Sequence, residues 1–142
     1  MDLAKSQKIV KVLGILDIIA AVLCVFAAVA FFGFGGAALN TEEAATNADL
    51  QQGVAIFFAL GIIMLVSGVA DLLEGIFALR TAKDASKVKP LWVLSIIGVV
   101  LGVMALVTSI VKGTGNVGSD VISLAISCCM FYLANNIKKL AK

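Results

Sequence analysis

LWVLSIIGVVLGVMALVTSIV (residues 91–111) decides the fold, because this long apolar run carries no charged side chain. A transmembrane helix needs about 20 predominantly apolar residues to cross a hydrocarbon layer of about 30 Å. Inside that layer each backbone N–H and C=O has to bond within the segment itself, which favours a helix over an open sheet. Residues 91–111 therefore predict one transmembrane helix.

Three further apolar runs have the same character. They cover residues 12–39, with Asp17 as the one charge, residues 53–70 and residues 121–137. The run at 12–39 is too long for the core of a signal peptide, so we expect it to remain in the protein. We predict an all-α fold: an integral membrane four-helix bundle of two tandem helical hairpins, in a single transmembrane domain over residues 1–142. The predicted helices cover about 9–37, 53–82, 91–112 and 120–138, with an outer loop at 38–52 and a cytoplasmic loop at 83–90.

The composition requires lipid as the solvent for much of the chain. The 142 residues are 61% hydrophobic and 14% charged, with a mean hydropathy of +1.10, whereas soluble domains carry about 25% charged residues. A chain of this size cannot bury so much apolar surface in one core. The net charge of +2 is small, and no basic patch with aromatic residues is present, which excludes a nucleic-acid partner. Membrane lipids are the first expected partner, and we expect a multi-pass protein of the cell membrane.

The basic residues predict an orientation. All eleven lysine and arginine residues except Lys112 lie near the start of the first helix, around the loop at 83–90, or near the end of the fourth helix. Since positive residues resist translocation, we expect both termini and this loop in the cytoplasm. At the membrane rim each basic residue attracts anionic lipid by about 1 kcal/mol. The predicted rim residues are Lys11, Arg80, Lys138 and Lys139.

The chain also contains an internal repeat. Residues 8–23 align without a gap with residues 89–104, and residues 56–64 align with residues 122–130. The repeat predicts two hairpins of the same orientation, related by a pseudo-twofold axis along the membrane normal.

Small residues mark the predicted packing faces of the helices. Gly61, Gly68 and Gly75 are spaced by seven residues, and Gly98 with Gly102 forms a GxxxG motif. Helices in lipid associate where small residues allow their backbones to approach closely. We predict that these glycines pack within the bundle; the alternative is a dimer interface.

Three acidic residues form the candidate intramembrane polar site: Asp17, Asp71 and Glu74. An acid at the bilayer centre costs about 2.5–3.5 kcal/mol, so such residues face the bundle interior and often carry function. The repeat aligns Asp17 with a position roughly 10 Å inside the third helix, which makes it the best functional candidate, with a structural salt bridge to a lysine of the fourth helix as the alternative. The same alignment places Asp71 and Glu74 near the interface, where hydration or pairing with lysine explains them.

The segments KVLGILDIIAAVL (residues 11–23) and GIIMLVSGVADLLEGIFALR (residues 61–80) resemble the glycine-spaced hairpins of the HdeD-type acid-resistance membrane proteins. The shared motif is a G-I-x-x-L-x-x-G spacing, and the resemblance covers two of the four helices. It implies a small multi-pass protein of the bacterial inner membrane with a stress-related role. The family has six helices where this chain has four, and the resemblance carries no catalytic residue over.

No catalytic constellation accompanies these features. The chain has no histidine, and Cys24, Cys128 and Cys129 form no C-x-x-C pair, so we expect no metal site, no cofactor and no enzymatic activity. We predict a stress-related or accessory scaffold subunit that packs against another membrane protein or its own copies. The alternative is a small proton- or cation-coupled transporter or channel that uses Asp17.

The predicted orientation can be tested with paired reporter fusions. A fluorescent protein fused to the carboxyl terminus should fluoresce and alkaline phosphatase fused there should be inactive, because the terminus stays in the cytoplasm. A phosphatase inserted in the loop at 38–52 should be active. The opposite pattern at these two positions would contradict the orientation.

Overall fold

The computed structural model describes residues 2–40, 48–112 and 117–141, so residues 41–47 of the predicted outer loop lie outside the described part. Each helix in this part is long and apolar enough to cross a membrane, which confirms the predicted set of four apolar helices of membrane-spanning length. The helices are α1 (Leu3–Leu39), α2 (Ala48–Lys83), α3 (Val88–Lys112) and α4 (Val117–Leu140), and a 3₁₀ turn (Ala85–Lys87) precedes α3.

The first helix begins earlier than the apolar pattern predicts, because a capping residue lies before it. The carboxylate of Asp2 accepts a hydrogen bond from the backbone N–H of Lys5 at 2.8 Å, and its backbone carbonyl accepts one from the N–H of Ser6 at 3.1 Å. An aspartate at this position satisfies an N–H group that the first helical turn leaves without a partner. The α1 helix therefore has 37 residues, about 55 Å at 1.5 Å per residue.

The chain forms two compact units. The four-helix unit contains Met1–Leu16 and Glu74–Lys142, and the hairpin unit contains Asp17–Leu73. The four-helix unit thus includes the start of α1, the end of α2, and all of α3 and α4. The hairpin unit includes the remaining parts of α1 and α2.

The core of the four-helix unit lies where α1 begins, α2 ends, α3 begins and α4 ends. Every one of the four helices contributes a side chain to it, and each of these side chains is at most 4% exposed. Side chains packed at this density tie the four helix ends to one another. The buried cluster consists of Val10, Ala78, Val88, Leu91, Met130, Leu133, Ala134 and Ile137.

The α3 and α4 helices pack along the predicted GxxxG motif. A Cβ built on Gly98 would lie 3.5 Å from the Oγ of Ser127, and one built on Gly102 would lie 3.1 Å from the Cδ1 of Leu124. Both glycines therefore face α4. Further along the same seam, the hydroxyl of Ser109 on α3 hydrogen-bonds to the carboxylate of Asp120 in the first turn of α4.

In the hairpin unit, the predicted packing glycines of α2 face α1. A Cβ built on Gly61 would lie 2.8 Å from the ring of Phe32. At Gly68 it would lie 3.1 Å from the Cβ of Cys24 and 3.2 Å from the carbonyl oxygen of Ala21. The carbonyl contact shows that the two backbones approach closely at Gly68, as small residues permit.

Aligned positions of the internal repeat have different neighbours in the two units. Gly61 of the hairpin unit packs on Phe32, whereas Ser127, its aligned counterpart in the four-helix unit, packs on Gly98. The alignment pairs Gly98 with Asp17 rather than with Phe32, so the aligned segments have different packing registers. The repeat stays a prediction from sequence.

The α1 and α2 helices approach each other closely at Gly14 in the four-helix unit. A Cβ built on Gly14 would lie 2.6 Å from the Cβ of Ala78 and 3.0 Å from the carbonyl oxygen of Gly75. Neither atom can rotate away, because the Cβ of Ala78 is bonded directly to the backbone and the carbonyl oxygen of Gly75 belongs to the backbone. Any larger residue at position 14 has to push the helices apart.

We expect Gly14→Ala to lower the free energy of unfolding by about 1–3 kcal/mol, the usual cost of overpacking a close contact. Thermal unfolding of the purified protein in detergent, followed by circular dichroism, measures the change. Gly33→Ala is the matched control, because a Cβ there has no neighbour within 4 Å. This control should leave stability equal or raise it by up to about 1 kcal/mol through helix propensity. Equal effects of the two substitutions would contradict the close contact at Gly14.

Candidate functional site

The three candidate acids do not all lie in one unit. Asp17 and Asp71 belong to the hairpin unit, and Glu74 belongs to the four-helix unit. All three side chains are half-buried, and the Oδ2 atom of Asp17 is shielded from solvent. Asp17 and Glu74 each take part in at least one hydrogen-bonding or electrostatic interaction. Convergence of all three acids on one site stays a prediction.

Asp71 lies close to the seam between α1 and α2 in the hairpin unit. It lies one helical turn beyond Gly68, against which the Cβ of Cys24 on α1 packs. A single carboxylate beside a single thiol does not make a metal site, which needs several ligands in a fixed geometry. Among the described residues, no group of three or more His, Cys, Asp or Glu side chains could hold a metal ion.

A network of polar side chains lies beside the core of the four-helix unit. Asn136 on α4 donates a hydrogen bond from Nδ2 to the Oγ of Ser6 on α1, at 2.8 Å. The Ser6 hydroxyl in turn donates to the backbone carbonyl of Asp2 at 3.0 Å. Ser6 is fully buried, so these bonds satisfy a hydroxyl that water does not reach. They join the start of α1 to the end of α4.

A second pair of bonds joins α1 to α2 and α2 to the turn before α3. The Nε2 of Gln7 donates to the carbonyl oxygen of Thr81 at 3.4 Å. The hydroxyl of Thr81, which is fully buried, donates to the carbonyl oxygen of Lys87 at 3.3 Å. Side-chain hydrogen bonds therefore join the start of α1 to the ends of α2 and α4, and the end of α2 to the turn before α3.

Sequence reasoning did not identify Ser6, Gln7 or Thr81. The sequence did contain a signal for Ser6, because Ser6 precedes Val10 and Gly14 at four-residue spacing. The structure buries all three positions. That spacing places them on one helical face. The hydrogen-bond partners of Ser6, Gln7 and Thr81 could not be predicted from the sequence.

Two of the four predicted rim residues rest on aromatic rings. The Nζ of Lys138 lies 3.4 Å from the centre of the Trp92 ring, and the guanidinium of Arg80 lies 5.7 Å from the centre of the Phe77 ring. Each contact is a cation–π interaction, worth about 0.5–2 kcal/mol depending on exposure. The other two rim residues, Lys11 and Lys139, are exposed.

The four-helix unit has a groove on the outside of α1 and α2. Its volume is about 370 Å³, and it is lined by Lys11, Ile15, Leu79, Ala82 and Lys83. A smaller groove of about 170 Å³ lies on the neighbouring side of Leu79 and Lys83, where Ile76 and Arg80 complete the lining. Both grooves combine an apolar wall with basic side chains.

The hairpin unit has a groove of a different kind. Its volume is about 190 Å³, and every lining residue is apolar. Such a surface suits a lipid chain or another apolar helix, and its lining contains no group that would select between them. The lining residues are Ala21, Val22, Val25, Phe26, Gly68, Val69 and Leu72.

Comparison of the chain with protein-family models, with curated proteins and with solved structures found no match. The resemblance to the HdeD-type proteins stays a prediction from sequence.

The turn between α2 and α3 is held by an acidic cap. The carboxylate of Asp84 accepts hydrogen bonds from the backbone N–H of Ser86 at 3.0 Å and from its hydroxyl at 2.7 Å. The Nζ of Lys87 lies 3.4 Å from the same carboxylate. The pKa of Asp84 lies below its ordinary value of 3.8. The hydrogen bonds from Ser86 contribute most to this shift and the charge of Lys87 contributes less, and both stabilise the ionised form.

We expect Ser86→Ala to raise the pKa of Asp84 towards its ordinary value, since the hydroxyl donor is lost while the backbone N–H remains. Because the folded pKa lies below the unfolded one, Asp84 stabilises the turn at pH above about 4. This contribution is lost as the pH falls through the folded pKa. A carboxyl-carbon NMR titration of the detergent-solubilised protein measures the shift. Ser123→Ala, at an exposed position of α4, is the control; the same Asp84 pKa in both variants would contradict the cap.

The bond between Asn136 and Ser6 can be tested by a double-mutant cycle. We expect Asn136→Ala and Ser6→Ala to show a coupling free energy of about 0.6–1.7 kcal/mol, the range for hydrogen bonds between helices in membrane proteins. Unfolding in mixed detergent–denaturant micelles measures it. The cycle of Asn135→Ala with Ser6→Ala is the matched control and should give a coupling near zero. Equal coupling in the two cycles would refute the assigned bond.

Proposed function

We propose that the chain is a multi-pass membrane protein without catalytic activity, and that it acts as an accessory or scaffold subunit by packing against other membrane-embedded chains. The observation that carries this proposal is the outward apolar surface of the helices. Only 6% of the most apolar 18-residue stretch around α3 is buried within the chain. A continuous apolar surface of this kind is the usual mark of contact with lipid or with another protein.

The way in which the four-helix unit uses its polar side chains supports a structural role. Ser6, Thr81 and Asn136 donate or accept bonds that join one helix end to another. Side chains used in this way hold helices in a fixed arrangement, whereas a transport pathway needs polar groups that meet a solute or water. Fixed helix ends suit a subunit that presents a constant surface to a partner.

The location and orientation are part of the same proposal. The distribution of lysine and arginine supports cytoplasmic termini, and the resemblance to the HdeD-type proteins supports a bacterial inner membrane and a role in stress. These proposals are independent of the scaffold role, because a protein can take this orientation whatever its partner is.

A second candidate function has an observation of its own. Asp17 is a half-buried acid inside a helix that is long and apolar enough to span a membrane, and one of its carboxylate oxygens is shielded from solvent. Ionisable residues in such positions mark ion and proton pathways in transporters. The second candidate is therefore a small proton- or cation-coupled transporter or channel in which Asp17 carries the charge.

Native mass spectrometry of the protein extracted from the membranes of its own host tests the scaffold role. We expect a discrete complex that contains this chain, of 14.7 kDa, and either a second polypeptide or further copies. Copies that meet along α4 would also be cross-linked by mild oxidation, because Cys128 and Cys129 are exposed on that helix. A monomer that carries only lipid would overturn the proposal.

Flux through liposomes separates the two candidate functions. We expect the purified protein and its Asp17→Asn variant to conduct protons, Na⁺ and K⁺ no faster than protein-free liposomes. If the wild-type protein conducts, and Asp17→Asn abolishes the flux without changing thermal stability, the transporter is correct. Asp49→Asn, at an exposed position in the first turn of α2, is the matched control and should have no effect on flux in either case.

A further inference from the structure

The groove between Lys11 and Lys83 has two chemically different parts. Its wall is formed by Ile15, Leu79 and Ala82, which are apolar, and two lysine ammonium groups complete its lining. Both lysines are exposed, so their charged ends are accessible. The groove therefore offers an apolar surface and a pair of positive charges within about 370 Å³.

The charge of this groove is not balanced by the residues that line it. None of its five lining residues is acidic. The nearby acid Asp84 is bonded to Ser86 and to Lys87 in the turn before α3. Arg80, in the adjoining groove next to Lys83, lies over the ring of Phe77, so Lys11 and Lys83 are the positive groups that line the main groove. An occupant with a negative charge would complement this set.

The rim residue Lys138 provides a contrast. Its ammonium lies on the ring of Trp92 at 3.4 Å, so an internal contact already uses its charge. No comparable ring contact or ion pair of Lys11 or Lys83 occurs among the described residues. The charges of these two lysines are therefore available to a ligand from outside the chain.

We propose that this groove binds one anionic phospholipid. Its phosphate lies between the ammonium groups of Lys11 and Lys83, and an acyl chain lies along Ile15 and Leu79. Basic pockets at the ends of membrane helices bind lipid headgroups in this way, and long lysine side chains reach the headgroup while their stems cover apolar surface. A free inorganic anion would leave the apolar wall without a partner. The inference rests on the membrane insertion proposed above and does not depend on the scaffold role.

Lipid retention measured by native mass spectrometry tests the charged part of the site. The purified protein in a neutral detergent is titrated with phosphatidylglycerol and, separately, with phosphatidylcholine. We expect the wild-type protein to prefer phosphatidylglycerol, and the double variant Lys11→Gln with Lys83→Gln to bind it roughly 30-fold more weakly, from about 1 kcal/mol for each lysine. The double variant Lys5→Gln with Lys89→Gln removes the same charge from exposed positions and should keep the wild-type preference. Equal loss in the two double variants would overturn the proposal.

A second variant tests the apolar part of the site without changing any charge. Ala82→Leu fills the groove and should weaken retention of phosphatidylglycerol, while Ala105→Leu, at an exposed position of α3, should leave it unchanged. Glycerol phosphate added as a competitor should displace the lipid poorly, because it lacks acyl chains. Retention unchanged by Ala82→Leu, or displacement by glycerol phosphate at lipid concentrations, would refute a phospholipid site.

A failure of the proposed lipid site can be distinguished from a failure of the proposed membrane insertion. Fractionation of the producing cells reports whether the chain resides in the membrane before any lipid is added. A membrane-bound protein without lipid preference overturns the lipid site alone. A chain recovered in the soluble fraction overturns both proposals.

Discussion

A hydrocarbon layer supplies no hydrogen-bond partner, and the membrane insertion proposed for this chain would impose that constraint on its four long apolar helices. A segment in such a layer has to satisfy its own backbone, as each apolar run of this chain does by forming an uninterrupted helix. Apolar side chains gain little from leaving lipid for a neighbouring helix, so close packing at small residues has to hold the helices together. The contacts at Gly14, Gly68 and Gly102 are of this kind, because in each case a missing side chain leaves room for atoms of the adjacent helix.

The four-helix unit adds a second means of attachment at one end. There the buried apolar cluster is accompanied by the buried hydroxyls of Ser6 and Thr81, which bond to groups on other segments. Burying a hydroxyl without a partner is costly, so the arrangement of helix ends that satisfies both groups is favoured over alternatives that do not. Hydrogen bonding and apolar packing therefore favour the same arrangement of the helix ends. A fixed arrangement of helix ends fits the structural role proposed above.

The basic residues of this protein have two different uses. Lys138 and Arg80 lie over aromatic rings, where the chain itself stabilises their charge. Lys11 and Lys83 border an apolar groove with their charges accessible. Counting basic residues along the sequence indicates an orientation, but it treats all of them alike. Contacts in the folded chain separate the lysines that stabilise the protein from those that are available to a ligand.

The sequence by itself determined the number, helical nature and membrane-spanning length of the apolar segments, because these depend on hydrophobicity and on backbone bonding within each segment. It predicted the extent of α1 less well, since the cap at Asp2 lies before the apolar run. For the candidate site it identified Asp17 as an acid within a long apolar helix, but not the polar side chains that join the helix ends. Only the tertiary structure decided which glycine meets which neighbour, and that Ser6 bonds to Asn136, 130 residues along the chain. Such pairs depend on the packing register of whole helices, which no local pattern of residues specifies.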